Sequence, residues 1–293
     1  MKKSTDDYWD NIHRIAELLQ SADCFLLGVG AGMSASGGLN YTDPALVQKW
    51  YPHYFGQGKR SIFEILTDFW PNTISEKNAA LFWGFWANHI NHIRYEPIAL
   101  QPYLDLYNIV KDREYFICTT NVDGQLEKAG FEKSRIYAPQ GDYAFFQCAK
   151  PCSQDIYNNK EMIITMLENT VSPFEICSDD IPYCPKCDYF LIPNLRCDET
   201  FVETPHLINA EPYKIFIQNS YNKKIVLLEL GVGFNTPVII RYPFEVITSK
   251  YPNTTLVRIN LTDVDVSDII KEKSICIQDD IGKILSDILS TAA

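Results

Sequence analysis

Three short apolar runs set the terms for this chain's fold: CFLLGVG at 24–30, YFICTT at 115–120 and KIVLLELGVG at 224–233. Each is continuous rather than alternating, and each closes on glycine or a small polar residue. Runs of this kind fit strands covered on both faces, the condition of a parallel sheet flanked by helices. The segments between them read as those helices. Apolar residues at Trp9, Ile12, Ile15, Ala16, Leu18 and Leu19 give helical spacing over 8–19. NVDGQLEKAG turns into a helix that Gly130 stops, a further helix lies near 206–221, and a terminal one follows Asp280. TTLVRIN at 254–260 adds another strand. The alternation predicts an α/β chain built on a doubly wound parallel sheet.

Two segments interrupt that alternation. Residues 42–110 are mostly helical in pattern and rich in aromatics: Trp50, Tyr51, Tyr54, Phe55, Phe63, Phe69, Trp70, Phe82, Trp83, Phe85 and Trp86. Such a cluster can line a cleft, but it more commonly packs the core of a helical subdomain, and that is the expectation here. GAGMSASGG at 30–38 is too rich in glycine and serine to extend either neighbouring element. Farther on, cysteines gather between 148 and 197 among prolines and aspartates. The stretch MKKSTDDYWDN has no apolar signal-peptide core, and no run approaches a membrane span, so a cytoplasmic location is expected. A reducing compartment disfavours structural disulfides, and an odd count of nine cysteines would leave one unpaired. A metal explains them better. Cys148 and Cys152 form one pair, Cys184 and Cys187 a second, and the neighbours in CAKPC and CPKC suit a zinc knuckle. No position looks open for water, so the zinc is expected to be structural, with Cys177 or Cys197 as alternative ligands. The sheet domain then comprises 1–41, 95–140 and 203–293, with a helical subdomain at 42–94 and an inserted zinc-binding module at 141–202.

The ends of the three strands carry the candidate site. GAGMSASGG, TTNVDG (119–124) and GVGFNTP (231–237) put small residues, Asn121 and Asp123 where ligands sit in open α/β sheets. Singly, these read equally well as flexible turns or helix caps, and the first does not match G-x-G-x-x-G. Together they suggest a nucleotide crevice. Nucleic acid is a poor fit, because 37 acidic against 26 basic side chains give a net charge of −11.

The order of these motifs resembles the sirtuin family: GAGMS, TTNVD, a residue followed by glycine, two cysteine pairs, G-V-G and a late I-N. The resemblance covers nearly the whole chain. It implies a Rossmann-like NAD-binding domain with a small zinc module and helical elements closing over the cleft. It assigns Gly30, Ala31, Gly32 and Ser34 to the phosphate loop, with Leu39 and Tyr41 just beyond, and Thr120, Asn121, Val122 and Asp123 to the nicotinamide side. Gly231, Val232, Gly233 and Asn235 match the third loop, and Asn260 and Leu261 the adenosine side, with Asp280 in a final adenine-side loop.

Three departures from the family pattern bear on activity. Leu39-Asn40-Tyr41-Thr42 stands for Pro-Asp-Phe-Arg, so the arginine that helps hold NAD is missing. Val232 and Gly233 replace the threonine and serine of the family's Gly-Thr-Ser. Above all, Gln140 precedes Gly141 where deacylating sirtuins carry histidine. An amide has no basic pKa near neutrality, so Gln140 can orient a ribose or a nucleophile but cannot act as general base. Among the five histidines, His13, His53, His89, His92 and His206, the pair His89 and His92 is best sited to reach a cleft, though a histidine there is more commonly structural. The pattern is most similar to the macrodomain-linked class M sirtuins. That resemblance implies protein mono-ADP-ribosylation with NAD as co-substrate and Asn121, Asp123 and Gln140 at the reaction centre. It also implies a lipoylated glycine-cleavage-H-like carrier as acceptor and a macrodomain partner that reverses the modification. A deacylase and a silent NAD or ADP-ribose sensor are the rival expectations.

Overall fold

A computed structural model describes residues 5–292; residues 1–4 and 293, at the limits drawn above for the sheet domain, lie outside the described residues. Helix α1 (Thr5–Ser21) leads into β1 (Cys24–Val29) and α2 (Ala31–Ser36). The first insertion follows as α3 (Pro44–Trp50), α4 (Pro52–Gly56), α5 (Ile62–Leu66) and α6 (Ala79–Ile90). Then α7 (Gln101–Val110), β2 (Glu114–Thr119), α8 (Gln125–Lys128) and β3 (Ile136–Tyr137) return the chain to the sheet. The second insertion holds β4 (Gly141–Cys148), β5 (Ile156–Asn158), α9 (Lys160–Glu168), β6 (Thr170–Ser172), β7 (Glu175–Ile176) and β8 (Leu191–Leu195). Finally come α10 (Ala210–Asn219), β9 (Ile225–Leu230), α11 (Arg241–Lys250), β10 (Thr254–Asn260), β11 (Ser274–Gln278) and α12 (Ile281–Ala292).

Six strands form one parallel sheet in the order β11-β10-β9-β1-β2-β3. Its winding reverses between β1 and β9, which makes a crevice beyond their C-terminal ends. Every residue of these two central strands is buried, as their largely apolar runs require, and the one charge among them, Glu229, is paired by Arg258 at 2.7 Å. Alternate side chains point to opposite faces. Phe25, Leu27 and Val29 meet Ile12 and Ile15 of α1, Leu106 of α7 and Ile284 of α12. Cys24 and Leu26 meet Phe244 and Ile247 of α11 on the other side.

The two insertions, drawn apart in the sequence, share one apolar core. Trp83 of α6 packs its ring 4.5 Å from that of Phe146 of β4, and Phe82, Trp86, Ile163, Met166 and Leu191 surround them. Most of the aromatic cluster is therefore core, as its pattern predicts. One expectation is corrected. GAGMSASGG is not an irregular loop throughout: residues Ala31–Ser36 form α2, because Gly30 caps it and Ala31, Met33 and Ala35 favour helix once the turn is made. No helix among the described residues is long and apolar enough to cross a membrane.

Candidate active site

A cavity of about 680 Å³ opens where β1, β2, β9 and β10 end. That size falls within the range of small-molecule and cofactor sites, about 300–1,000 Å³. One wall is the sheet side: Gly30, Ala31, Gly32 and Ser34, then Thr120, Asn121, Val122 and Asp123, then Gly231, Val232, Gly233 and Asn235, with Asn260 beyond. The facing wall comes from the insertions and the segments that enter them, and includes Leu39, Tyr41, Phe63, Leu66, Trp70, Trp86, Ile93, Gln140 and Tyr143. Trp70 and Phe63 thus leave the aromatic core to line the site. The structure does not bring Leu261 or Asp280 into this lining. Leu261 is largely exposed, with its carbonyl accepting from Gln278 Nε2 at 3.0 Å. Asp280 instead caps α12, accepting from Lys283 N at 2.9 Å, and ties it to α2 through the Ser36 hydroxyl, also at 2.9 Å.

The sheet wall is fixed by backbone-to-backbone contact. Gly32 N donates to Gly231 O at 3.0 Å, and Gly231 N donates to Ile259 O at 2.9 Å. Gly231 has φ +65°, and a Cβ there would stand 2.5 Å from Gly32 Cα. The glycines of GAG and GVG therefore serve one another, letting two crossover connections touch across the switch point. Asn260 Nδ2 donates to Val232 O at 3.2 Å, and buried Arg241 donates to the carbonyls of Val232, Asp263 and Asp265. These bonds hold the third loop and the loop after β10 in register with each other.

A buried polar knot joins the first two loops. Asn121 Nδ2 donates to Gly30 O (2.9 Å) and lies within reach of Ser34 Oγ (3.1 Å) and Tyr103 Oη (2.9 Å). A carbonyl can accept only from the NH2 end, so Gly30 sets the amide's orientation. Ser34 Oγ donates to Asp123 Oδ2 at 2.5 Å, and Gln125 N donates to its Oδ1 at 3.0 Å. Burial pushes the Asp123 carboxyl above its ordinary range, while the Ser34 bond pulls the other way. Both carboxylate oxygens are engaged, which makes Asp123 a positioning group rather than a free base. Tyr103, buried at the base of this knot, carries no local signature and was not read from the sequence.

Gln140 owes its place to the glycine after it. Gly141 has φ +101°, and a Cβ there would lie 2.2 Å from Asn194 O on β8. The strand start is thereby pressed against β8, with Arg196 N donating to Gln140 O at 3.0 Å. Arg196, also unread in the sequence, is the cationic side chain of the lining; its guanidinium donates to Pro139 O at 3.1 Å and pairs with Glu203. Cys197 lines the cavity beside it, its thiol pushed up to about 12 by burial, and is no zinc ligand.

The four paired cysteines converge as expected. All four sulfur atoms lie within 4.8 Å of one another; Cys148 and Cys187 are 3.5 Å apart, and Cys152 and Cys184 3.6 Å. Tetrahedral zinc with bonds of about 2.3 Å needs sulfurs about 3.8 Å apart, far from the disulfide length of about 2.05 Å. Four cysteine sulfurs able to fill all four positions of a tetrahedron fit a structural zinc. Cys177 stands outside the cluster.

Of the histidines, His89 is wholly buried behind Tyr41 and Tyr143, and burial pushes its imidazole down to about 3. His92 pairs with Glu96, and His206 bonds to Asn194. None of the five histidines is among the lining residues.

Solved Sir2 structures share this architecture across nearly their whole length. A Sir2 enzyme superposes with a TM-score of 0.59 at 17% identity, covering 97% of this chain and 98% of its own. A Sir2 homologue mutant in complex with ADP-ribose gives 0.58 at 13% identity, covering 95% of each chain. A Sir2 protein with a p53 peptide and NAD+ gives 0.55 at 17%, covering 94% of this chain and 96% of its own. A protein ADP-ribosyltransferase of Staphylococcus aureus is 27% identical over 277 residues, spanning 92% of this chain and 84% of its own length. A probable bifunctional ADP-ribose hydrolase/ADP-ribosyltransferase of Fusarium oxysporum f. sp. cubense is 27% identical over 290 residues; the match takes 93% of this chain but only 47% of that protein. No protein-family model matches the chain.

Proposed function

We propose that this chain, a sirtuin by fold, is an NAD-dependent protein mono-ADP-ribosyltransferase that acts on a carboxylate of its acceptor. The observation that carries this reading is Gln140 at the reaction end, where a deacylating sirtuin has histidine; no histidine lines the cavity among the described residues. Asp123 is tied to Ser34 and Gln125. Asp263 follows β10 in the loop beside Gly233, and its Oδ2 accepts from the Thr262 hydroxyl at 3.1 Å. Acyl migration after deacylation chemistry needs a proton removed from the ribose; transfer to a carboxylate does not. In the transfer, the bond from C1′ to the nicotinamide nitrogen breaks and its electron pair leaves with nicotinamide. A carboxylate oxygen, already deprotonated, forms the new bond to C1′. Asn121 and Gln140 orient the ribose and the incoming oxygen, and Ser34 keeps Asp123 in position. Gly30 to Ser34 and Gly231 to Asn235 receive the pyrophosphate side, with Asn260 toward the adenosine.

The names of both curated relatives support the activity, and the Fusarium protein unites transfer with ADP-ribose hydrolysis in one name. A macrodomain partner that removes the modification fits that pairing. A lipoylated carrier as acceptor rests on the resemblance to class M sirtuins. The test is incubation with labelled NAD, offered in parallel an H-like carrier, a cell lysate and acyl-lysine peptides. Label on the protein with release of nicotinamide is expected, and Gln140→Ala should cut it at least about tenfold. Robust O-acyl-ADP-ribose from the peptides would sink the transferase reading in favour of a deacylase. NAD binding without nicotinamide release for any acceptor would make the chain a sensor.

A further inference from the structure

The insertion wall of the cavity is largely apolar, formed by Phe63, Leu66, Trp86 and Ile93, yet two phenol groups interrupt it. Tyr41 Oη and Tyr143 Oη are 3.2 Å apart. His89 Nε2 lies 3.0 Å from the second and 3.2 Å from the first, and His89 Nδ1 lies 2.9 Å from Tyr51 Oη. Tyr51 is buried, and among the described residues its hydroxyl meets no acceptor other than Nδ1. It must therefore donate there, which leaves the imidazole proton on Nε2, pointed at the two phenol oxygens. The phenols hold two hydrogens between them. One satisfies the contact between the rings; the other finds no protein acceptor among the described residues and is left for the cavity. The opposite tautomer would strand the Tyr51 hydrogen in the core and turn a phenol lone pair toward the cavity instead.

We propose that Tyr41 and Tyr143 present a hydrogen-bond donor to the reaction end of the cavity, and that His89 is the positioning residue that fixes its direction. Tyr143 N donates to Val122 O at 3.0 Å, so this donor is anchored to the loop of Asn121 and Asp123, three residues beyond Gln140. Its ligand is an oxygen acceptor: the carboxylate of the acceptor protein, a source that rests on the transferase reading, or the carboxamide carbonyl of nicotinamide, which does not. Beside the apolar Phe63, Leu66, Trp86 and Ile93, a donor fixed in direction adds discrimination to what the Gln140 amide and Arg196 supply.

The test uses the full chain with Tyr41→Phe and Tyr143→Phe combined, and His89→Leu beside His89→Gln, which keeps an amide donor. Melting temperature, affinity for NAD and for ADP-ribose, and KM and kcat for transfer are measured on each. The double phenylalanine variant should lose about ten- to a hundredfold in one arm. Loss in kcat/KM for the acceptor identifies the carboxylate; loss of NAD affinity with ADP-ribose affinity retained identifies the carboxamide. His89→Leu should repeat the loss and His89→Gln should restore most of it. A purely structural role would lower the melting temperature and leave these ratios within about twofold, which overturns the proposal. If the unsubstituted chain transfers to no protein, the transferase reading fails by itself. The affinity arm then decides: a selective loss for NAD upholds the donor, and none overturns it.

Discussion

Replacing Gly231 by alanine probes the contact that makes the crevice. The new Cβ would stand 2.5 Å from Gly32 Cα and Met33 N, both backbone atoms that cannot swing aside. Reaching an ordinary contact of about 3.4 Å needs a shift of about 0.9 Å between the first and third loops, and overpacking of this kind costs about 1–3 kcal/mol. Alanine at φ +65° adds about 1 kcal/mol, for a total of about 2–4 kcal/mol. Gly32→Ala meets the same neighbour, 2.6 Å from Gly231 Cα, but without a positive φ. Lying inside α2, it also recovers about 1 kcal/mol of helix propensity, so its net cost is about 0–2 kcal/mol. Urea unfolding of both variants should therefore separate them by about 2 kcal/mol, Gly231→Ala being the weaker. Because the displaced loops line the cavity, NAD affinity should fall about tenfold or more in Gly231→Ala. Equal stabilities for the two variants, or unchanged NAD affinity in Gly231→Ala, would refute the reasoning that these glycines exist for each other.

Metal analysis should find about one zinc per chain, and replacing Cys152 and Cys184 together by serine should abolish metal binding and cooperative unfolding of the insertions. His89 carries a pH signature: its folded pKa of about 3 lies below the ordinary 6.5, so the unfolded chain binds the extra proton between these values. Its stabilising contribution is whole above 6.5 and declines as pH falls toward 3, by up to about 1.4 kcal/mol per pH unit, and His89→Gln should flatten that slope in unfolding curves taken at pH 4–7. Arg241→Met should raise KM for NAD about tenfold with a smaller effect on kcat, since the guanidinium binds the loops rather than the reacting atoms. The same substitution should destabilise the chain by about 2–3 kcal/mol, because buried Arg241 donates to three carbonyls that would lose these bonds, while Glu229 stays paired with Arg258 at 2.7 Å.

Much of the sheet was legible, because strands buried on both faces are mostly apolar, as β1, β2, β9 and β10 are; the buried charged exceptions, Glu229 and Arg258, pair with each other at 2.7 Å. The edge strands β3 and β11 were missed, one for its two residues and the other for its mixed burial. Helix α11 was missed as well. Pro243 sits in its first turn, where proline is tolerated, and Val246, Ile247 and Thr248 favour strand until Phe244 and Ile247 find the sheet face. In the site, the loops at the strand ends were readable from their small and polar residues. Tyr103, Tyr143 and Arg196 were not: Tyr103 acts from beneath the cavity through Ser34 and Asn121, and Tyr143 and Arg196 reach the lining only through contacts distant in sequence. Leu261 and Asp280 lie next to the site in sequence logic but turn toward solvent and α2.

What the sequence determined by itself is chemistry that travels with the residue: an amide at Gln140 cannot become a base, and four thiols in two close pairs call for a metal in any fold that joins them. Tertiary structure alone decided that the glycines of GAG are occupied by Gly231, that His89 stands behind two tyrosines instead of in the cavity, and that Asp123 is spoken for by Ser34. The physical reason is one of range. Bonding capacity is a property of a single side chain, whereas orientation, burial and the partner that uses up a lone pair come from residues tens to hundreds of positions away, brought together by the order of strands in the sheet.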